Sequence, residues 1–444
     1  MGPLVGNTEG TLGSVIVYTK QQRIAQLARQ MPEAVLTTLS HHVDMDWLFE
    51  AYRQTRKDGA AGVDQVTAAE YEQDLDNNLA RLLERFKSGS YRAPAVRRVY
   101  IPKAAGGSPE RPIGIPTLED KILQRAVVML LSPVFEQDFL GCSYGFRPGR
   151  SAHQALERLW HAIMKTGASC WVLEVDIKSY FDTVNHERLR QIVRKRVRDG
   201  VITRMVGKWL KAGIMESGQL RYPYQGTPQG GVISPLLANI YLHEVLDSWF
   251  EQQVRPRLHG RAELIRFADD FVIVSNHQGD ANRVYEVLPK RFARYGLAIH
   301  AAKSRMLDFS RPGGNRPEPG VFDFLGFTHF WGKSRKGNRV VCRKTAGKKL
   351  RASIKRVYQW CMLNRHMPVK EQRVELGRKL YGHYGYYGIT GNGRSLNSYY
   401  EQVKRSWQKW LNRRSRQCDM PWERFNRLLK RYPLPSPRIV HRFS

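Results

Sequence analysis

The stretch from Leu264 to Ser275, Leu-Ile-Arg-Phe-Ala-Asp-Asp-Phe-Val-Ile-Val-Ser, constrains this chain more than any other. Two apolar, β-prone runs flank a pair of adjacent carboxylates. Each run is too short for a helix core and rich in strand formers, so the pattern predicts a hairpin with Asp269 and Asp270 at its tip. Carboxylates side by side repel each other, and a fold that presents them must compensate the charge. Water does so on an exposed turn, and a divalent cation does so in an active site. For an isolated Asp-Asp pair the solvated turn is the commoner outcome, so the rest of the chain has to decide.

A third carboxylate comes from Trp171-Val-Leu-Glu-Val-Asp-Ile177, which alternates cleanly. Trp171, Leu173, Val175 and Ile177 point one way, and Val172, Glu174 and Asp176 point the other, onto a face expected to lie off the core. A carboxylate at the end of a buried strand is costly unless something pairs with it. Between Asp176 and Asp269 lies Gln225-Gly-Thr-Pro-Gln-Gly-Gly231, leading into a helix with Pro235 in its first turn. No Gly-Lys-Ser/Thr closes this loop, so it is not a nucleotide P-loop. Its glycines let backbone come close to a base pair or sugar. Upstream, Tyr91 to Thr117 reads as a strand pair joined at Gly106-Gly107, with Lys103 and Arg111 on opposite limbs, where they could converge on one anion. Phe139 to Arg150 reads as a loop entering a helix over 152–164. Its Arg147 and Arg150 lie beside aromatics, which suits a phosphate backbone and stacked bases. Downstream come a strand carrying Lys303 and the aromatic stretch Phe322-Asp-Phe-Leu-Gly-Phe327.

Charge sharpens the choice. The 444 residues suggest two or three domains and carry a net charge of +32, which implies a polyanionic partner. Residues 331–444 hold 29 Lys and Arg against 5 Asp and Glu, so +24 of that excess lies in the last quarter. Helical spacing predominates there, over 346–363, 368–387, 395–413 and 422–432, with Tyr381 to Tyr387, Trp407 and Trp410 interleaved among the cations. Residues 1–44 read as a loose glycine-bearing arm with a short helix over 21–31. No run of about 18 apolar residues and no signal-peptide pattern occurs, and the five scattered cysteines fit free thiols, so a cytoplasmic protein without a membrane partner is expected. None of the 13 histidines forms H-E-x-x-H or another ligand set recognisable in sequence, and they are expected to be surface or core residues.

The order of these motifs resembles that of reverse transcriptases, specifically those encoded by bacterial and organellar group II introns, over roughly residues 45–444. The resemblance implies an α/β (α+β) right-hand polymerase, with fingers over 45–165, palm over 166–330 and a basic helical thumb and maturase domain over 331–444, behind an arm at 1–44. It implies RNA-directed DNA synthesis with two Mg²⁺ ions, for which Mn²⁺ can substitute, and assistance to intron splicing and mobility. Asp176, Asp269 and Asp270 match the catalytic aspartates, with the Ile177 carbonyl as a further metal ligand. Lys103 and Arg111 match the triphosphate clamp, and Phe181 the gate against a ribose 2′-hydroxyl. Gln229 matches a nucleotide or template contact, Lys303 a phosphate lysine, and Phe324, Leu325, Gly326 and Phe327 the primer grip. RNA contacts fall to Arg147, Arg150, Lys348, Lys349, Arg413 and Arg414. The implied partners are group II intron RNA, target DNA as primer, and dNTPs. The DNA-binding and nuclease regions that many members carry at their C-terminal end have no counterpart before Ser444, so second-strand cleavage is not expected of this chain. Two alternatives stay open: an RNA-binding splicing cofactor with little polymerase activity, and a co-opted, defence-associated reverse transcriptase.

Overall fold

The computed structural model describes residues 8–104, 107–216, 219–222, 225–226, 230–313, 318–334, 336–414 and 419–442. Its strands are β1 (Val96–Ala104), β2 (Gly107–Ile115), β3 (Trp171–Val175), β4 (Ile214–Glu216), β5 (Gln219–Arg221), β6 (Ala262–Phe267), β7 (Asp270–Ser275), β8 (Arg305–Asp308), β9 (Phe322–Phe324), β10 (Phe327–Lys333) and β11 (Arg339–Thr345). They form three sheets, ordered β2-β1-β4-β5, β6-β7-β3-β8 and β11-β10-β9.

The β6-β7-β3-β8 sheet is antiparallel throughout and organises the middle of the chain. Leu173, Val175, Phe271 and Ile273 join the largest core, together with Ala281, Val284, Leu288 and Phe292 from the helix Gln278–Ala293. The opposite face is not bare. Val172, Ile265, Val272 and Val274 belong to a second core, completed by the helix Ala152–Met164 and by Phe309, Phe322, Phe324 and Phe327. The clean alternation of β3 therefore separates two cores, and Asp176 emerges only where the second one ends.

The N-terminal segment departs from its sequence reading. Instead of a loose arm with a short helix, Thr8–Gln30 is one helix of 23 residues. Val17, Ile24 and Ala28 are buried at helical spacing, and Gln21 Nε2 donates to the Met129 carbonyl at 2.9 Å. Packing on the helix Leu118–Asp138 outweighs the helix-weakening glycines. At the other end the helices begin close to where their spacing placed them. Strands β10 and β11 precede them, and the helices are Gly347–Leu363, Val369–Tyr387, Gly393–Leu411 and Trp422–Arg431. Their shared core includes Leu376, Leu380, Tyr384, Leu396 and Trp407. Trp407 is 1% exposed, and its indole N–H donates to Gln372 Oε1 at 2.7 Å, so this ring is a packing element and not a nucleic-acid contact.

Candidate active site

The β6–β7 hairpin closes tightly. Phe267 pairs with Asp270, leaving only Ala268 and Asp269 in the turn. Ala268 sits at φ +57°, a conformation that two-residue hairpin turns favour and that side-chain-bearing residues seldom adopt. The strand behind it supplies the restraint. Arg266, fully buried in β6, donates from Nη1 to the Ala268 carbonyl at 3.0 Å and to Asn239 Oδ1 at 2.9 Å. Its Nη2 reaches Ser143 Oγ at 2.8 Å, and its remaining donors meet the Asp247 carboxylate. All five N–H groups of this guanidinium thus have an acceptor. Asp247 is delivered by a stretch of helix that widens into π geometry over His243–Asp247, a local distortion that re-aims side chains. On the outer edge of β6, the segment 142–145 pairs as an extra strand, with Arg266 N–H on the Cys142 carbonyl and Tyr144 N–H on the Arg266 carbonyl. Gly145 is required for that approach, since a Cβ there would lie 2.3 Å from the Ala268 nitrogen.

Asp176 reaches the same place from the neighbouring strand. Val175 pairs with Phe271, so Asp176 follows on alongside Asp270. The two-residue period puts both carboxylates on one face, with Asp269 at the turn beside them. Asp176 is anchored through its backbone: its N–H donates to Ser304 Oγ at 3.0 Å, and its carbonyl accepts from His300 N–H at 2.8 Å. Lys303 Nζ lies 3.3 Å from Asp176 Oδ2, with both side chains partly solvated. Ile177 bridges Ile299 through hydrogen bonds made by its neighbours, at Asp176 and Lys178. Its own carbonyl therefore points to the other edge, toward the hairpin. The donors offered here are all oxygen, which would suit a hard divalent cation better than a soft one, although the three carboxylates do not all approach within 4.8 Å of one another in this structure.

Phe181 stands five residues beyond Asp176, half-buried in the short helix Tyr180–Thr183 that follows a left-handed Ser179. Gly226 at φ +94° backs directly against it, and a Cβ there would lie 2.8 Å from the Phe181 carbonyl. At the far end of the glycine loop, Gly230 at φ +110° leaves no room for a Cβ beside the Gly114 carbonyl, so the loop rests on β2. Gln229 lies outside the described residues. So do the side chains of Lys103 and Arg111, although their strands pair antiparallel with Ile101 opposite Arg111. Phe324 and Phe327 are buried on either side of a turn in which Leu325 and Gly326 both have positive φ. The Tyr386 hydroxyl donates to the Leu325 carbonyl at 2.8 Å, and Tyr387 closes over Gly326.

The RNA-contact set divides. Arg150, Lys348, Lys349 and Arg413 are exposed, with Arg150 over the Tyr144 ring and Arg413 over Trp410. Arg147 is buried instead. It is held by both oxygens of Glu136 and by the carbonyls of Leu140 and Ser143, so it braces the loop and presents nothing to a nucleic acid. Arg414 is likewise occupied, donating to the carbonyls of Arg365 and Met367. Sequence reasoning also missed Arg266, Asp247 and Gly145. The available signal was an arginine between Ile265 and Phe267 in an otherwise apolar strand.

The family model for reverse transcriptase (RNA-dependent DNA polymerase) matches residues 101–329, more than half of the chain. Protein YkfC of Escherichia coli K12 is 39% identical over 260 residues, covering 57% of this chain and 66% of its own length. The group II intron-encoded protein LtrA of Lactococcus lactis is 35% identical over 225 residues, covering 50% and 37%. Nuclear intron maturase 2 of Arabidopsis thaliana is 27% identical over 234 residues, covering 44% and 30%. The chain thus spans less than two thirds of the length of each of these relatives.

Proposed function

The chain belongs to the reverse transcriptases, the RNA-dependent DNA polymerases, and on that premise we propose that it extends a DNA primer on an RNA template, with Asp176, Asp269 and Asp270 as the acidic centre. The observation that carries this reading is the register of β3 on β7, Val175 opposite Phe271, which makes carboxylates remote in sequence neighbours in one sheet. Reverse transcriptase domains use divalent metal ions. We assign two Mg²⁺, replaceable by Mn²⁺, to the three aspartates with the Ile177 carbonyl. Such ions, when bound, favour the deprotonated primer 3′-hydroxyl and offset charge on the departing pyrophosphate. The protein's own part is then positioning and charge compensation, and no nucleophilic Ser, Cys or His is needed.

In this reading Lys103 and Arg111, on facing strands, clamp the triphosphate, with the arginine offering a two-pronged fork to phosphate oxygens. Lys303 alternates between Asp176 and the nucleotide phosphates. The Phe181 ring lies under the sugar and excludes a 2′-hydroxyl by clash. Gln229 contacts the incoming nucleotide or the template base, and Phe324 to Phe327 hold the primer end. Likeness to a group II intron-encoded protein and an intron maturase, together with the basic C-terminal quarter, supports intron RNA as template and splicing partner and target DNA as primer. Arg150, Lys348, Lys349 and Arg413 provide phosphate contacts, and binding weakens as salt rises. The test is cDNA synthesis on a primed RNA template by wild type beside Asp269→Asn. Wild type extends the primer, and the variant folds normally but does not. Full activity in the variant refutes the assignment.

A further inference from the structure

The catalytic hairpin has a second end. Where β6 begins and β7 finishes, His259, His277 and Asp280 converge, the one group of three metal-ligating side chains that draws together in this way among the described residues. His259 precedes β6, His277 caps the helix Gln278–Ala293, and Asp280 lies in that helix's first turn. His259 Nδ1 is 3.1 Å from Asp280 Oδ1, and His277 Nδ1 is 3.4 Å from Asp280 Oδ2. All three ligand atoms lie within 4.8 Å of one another. Ligands bound tetrahedrally at about 2.0–2.2 Å sit roughly 3.3–3.6 Å apart; the two imidazoles approach different oxygens of Asp280, so one ion between them would engage both oxygens of that carboxylate.

The chemistry of the cluster points the same way. The Asp280 side chain is fully buried while both imidazoles are more than half exposed. Gly260 N–H donates to Oδ2 at 2.7 Å and fixes the carboxylate's orientation, as an outer partner does at a metal site. His277 presents a mismatch. Its Nδ1 accepts from the Asp280 N–H at 3.2 Å, so that nitrogen carries a lone pair while facing a carboxylate oxygen. A cation between them relieves that repulsion and displaces a long cap bond. Two imidazoles and one carboxylate, with water completing the shell, form a borderline-soft N₂O set that suits Zn²⁺. The all-oxygen set at the other end of the hairpin suits Mg²⁺.

We propose that His259, His277 and Asp280 form a transition-metal site, with Zn²⁺ as the fitting ion, that staples the base of the β6–β7 hairpin to the helix behind it. The site is independent of the polymerase reading, because it shares no residue with the acidic tip.

The experiment is zinc titration of the full chain by calorimetry in Mg²⁺ buffer, with thermal unfolding followed in parallel. Wild type, His259→Gln, His277→Gln and Asp269→Asn are compared. The exposed histidines are chosen because Asp280 is a buried residue whose loss can itself unfold the helix end. The expected result is one equivalent of Zn²⁺ and a raised Tm in wild type and Asp269→Asn. In each histidine variant the affinity falls by at least roughly tenfold. Tetrahedral Co²⁺ absorption should follow the same pattern. Absence of zinc binding by wild type overturns the proposal, as does equal binding by the histidine variants. Loss of the same equivalent in Asp269→Asn moves the ion to the acidic tip and also overturns it.

Discussion

Arg266 and Asp247 form a two-pronged ion pair with neither side chain exposed to solvent: Nε donates to Oδ1 at 2.7 Å and Nη2 to Oδ2 at 2.5 Å. Arg266 Nη1 also donates to the Ala268 carbonyl, so the pair sits against the hairpin turn. Its first consequence is measurable. Arg266→Met strands a buried carboxylate and should destabilise the protein by about 3–5 kcal/mol in urea unfolding. Arg266→Met with Asp247→Leu should recover most of that stability without recovering primer extension, because the Ala268 carbonyl still lacks its donor. Recovery of both would show that the pair contributes stability alone.

Lys303 touches Asp176 but is largely solvated, so it contributes little to folding. Lys303→Gln should leave Tm unchanged. Removing one charge-assisted contact to the nucleotide should raise the apparent KM for dNTP roughly tenfold. Steady-state extension across a dNTP series reads this, and an unchanged KM removes the lysine from the nucleotide site.

Phe181 and Gly226 act as ring and backstop. Phe181→Ala should raise rNTP incorporation relative to dNTP. Gly226→Ala adds a Cβ 2.8 Å from the Phe181 carbonyl at a backbone angle of +94°. It should cost roughly 1–3 kcal/mol of stability and disturb the same selectivity. Single-nucleotide incorporation assays with paired dNTP and rNTP measure both effects.

Acid should weaken the β11-β10-β9 sheet and the helical bundle through two histidines held neutral. Burial, and then the Arg343 charge, push His329 down to about 3. Burial, and then Arg356, push His383 down to about 4, and His383 stacks on Tyr399 at 3.7 Å. A depressed folded pKa means that the unfolded chain takes up the proton first. Stability is complete above about pH 6.5 and is lost as pH falls toward 4, on the order of 3 kcal/mol for His383 alone. His383→Gln should flatten the Tm profile between pH 6.5 and 4, whereas an unaltered slope places the titration elsewhere.

Much of this was legible in the sequence where local pattern and tertiary role agree. The two β-prone runs of Leu264–Ser275 marked the hairpin, and the alternation of Trp171–Ile177 marked β3. What stayed hidden depended on partners far away in the chain. Arg147 looked like a phosphate contact because nothing nearby shows that Glu136 will meet it across a turn. Val172 faces a second core only because Phe322 and Phe327, some 150 residues later, fold over it. His259 and His277 lie 18 residues apart, a spacing that brings them together only once β6 and β7 pair.

The Tyr386 hydroxyl on the Leu325 carbonyl makes the last helix-to-turn contact more than a brace. Phe327 packs against Tyr386 and Tyr387 in the same place, so turn and helix form a single rigid lever. Movement of the end of the helix Val369–Tyr387 is therefore passed to the turn. On the proposed assignment of that turn to the primer end, a shift of the helix would reach the primer through these contacts.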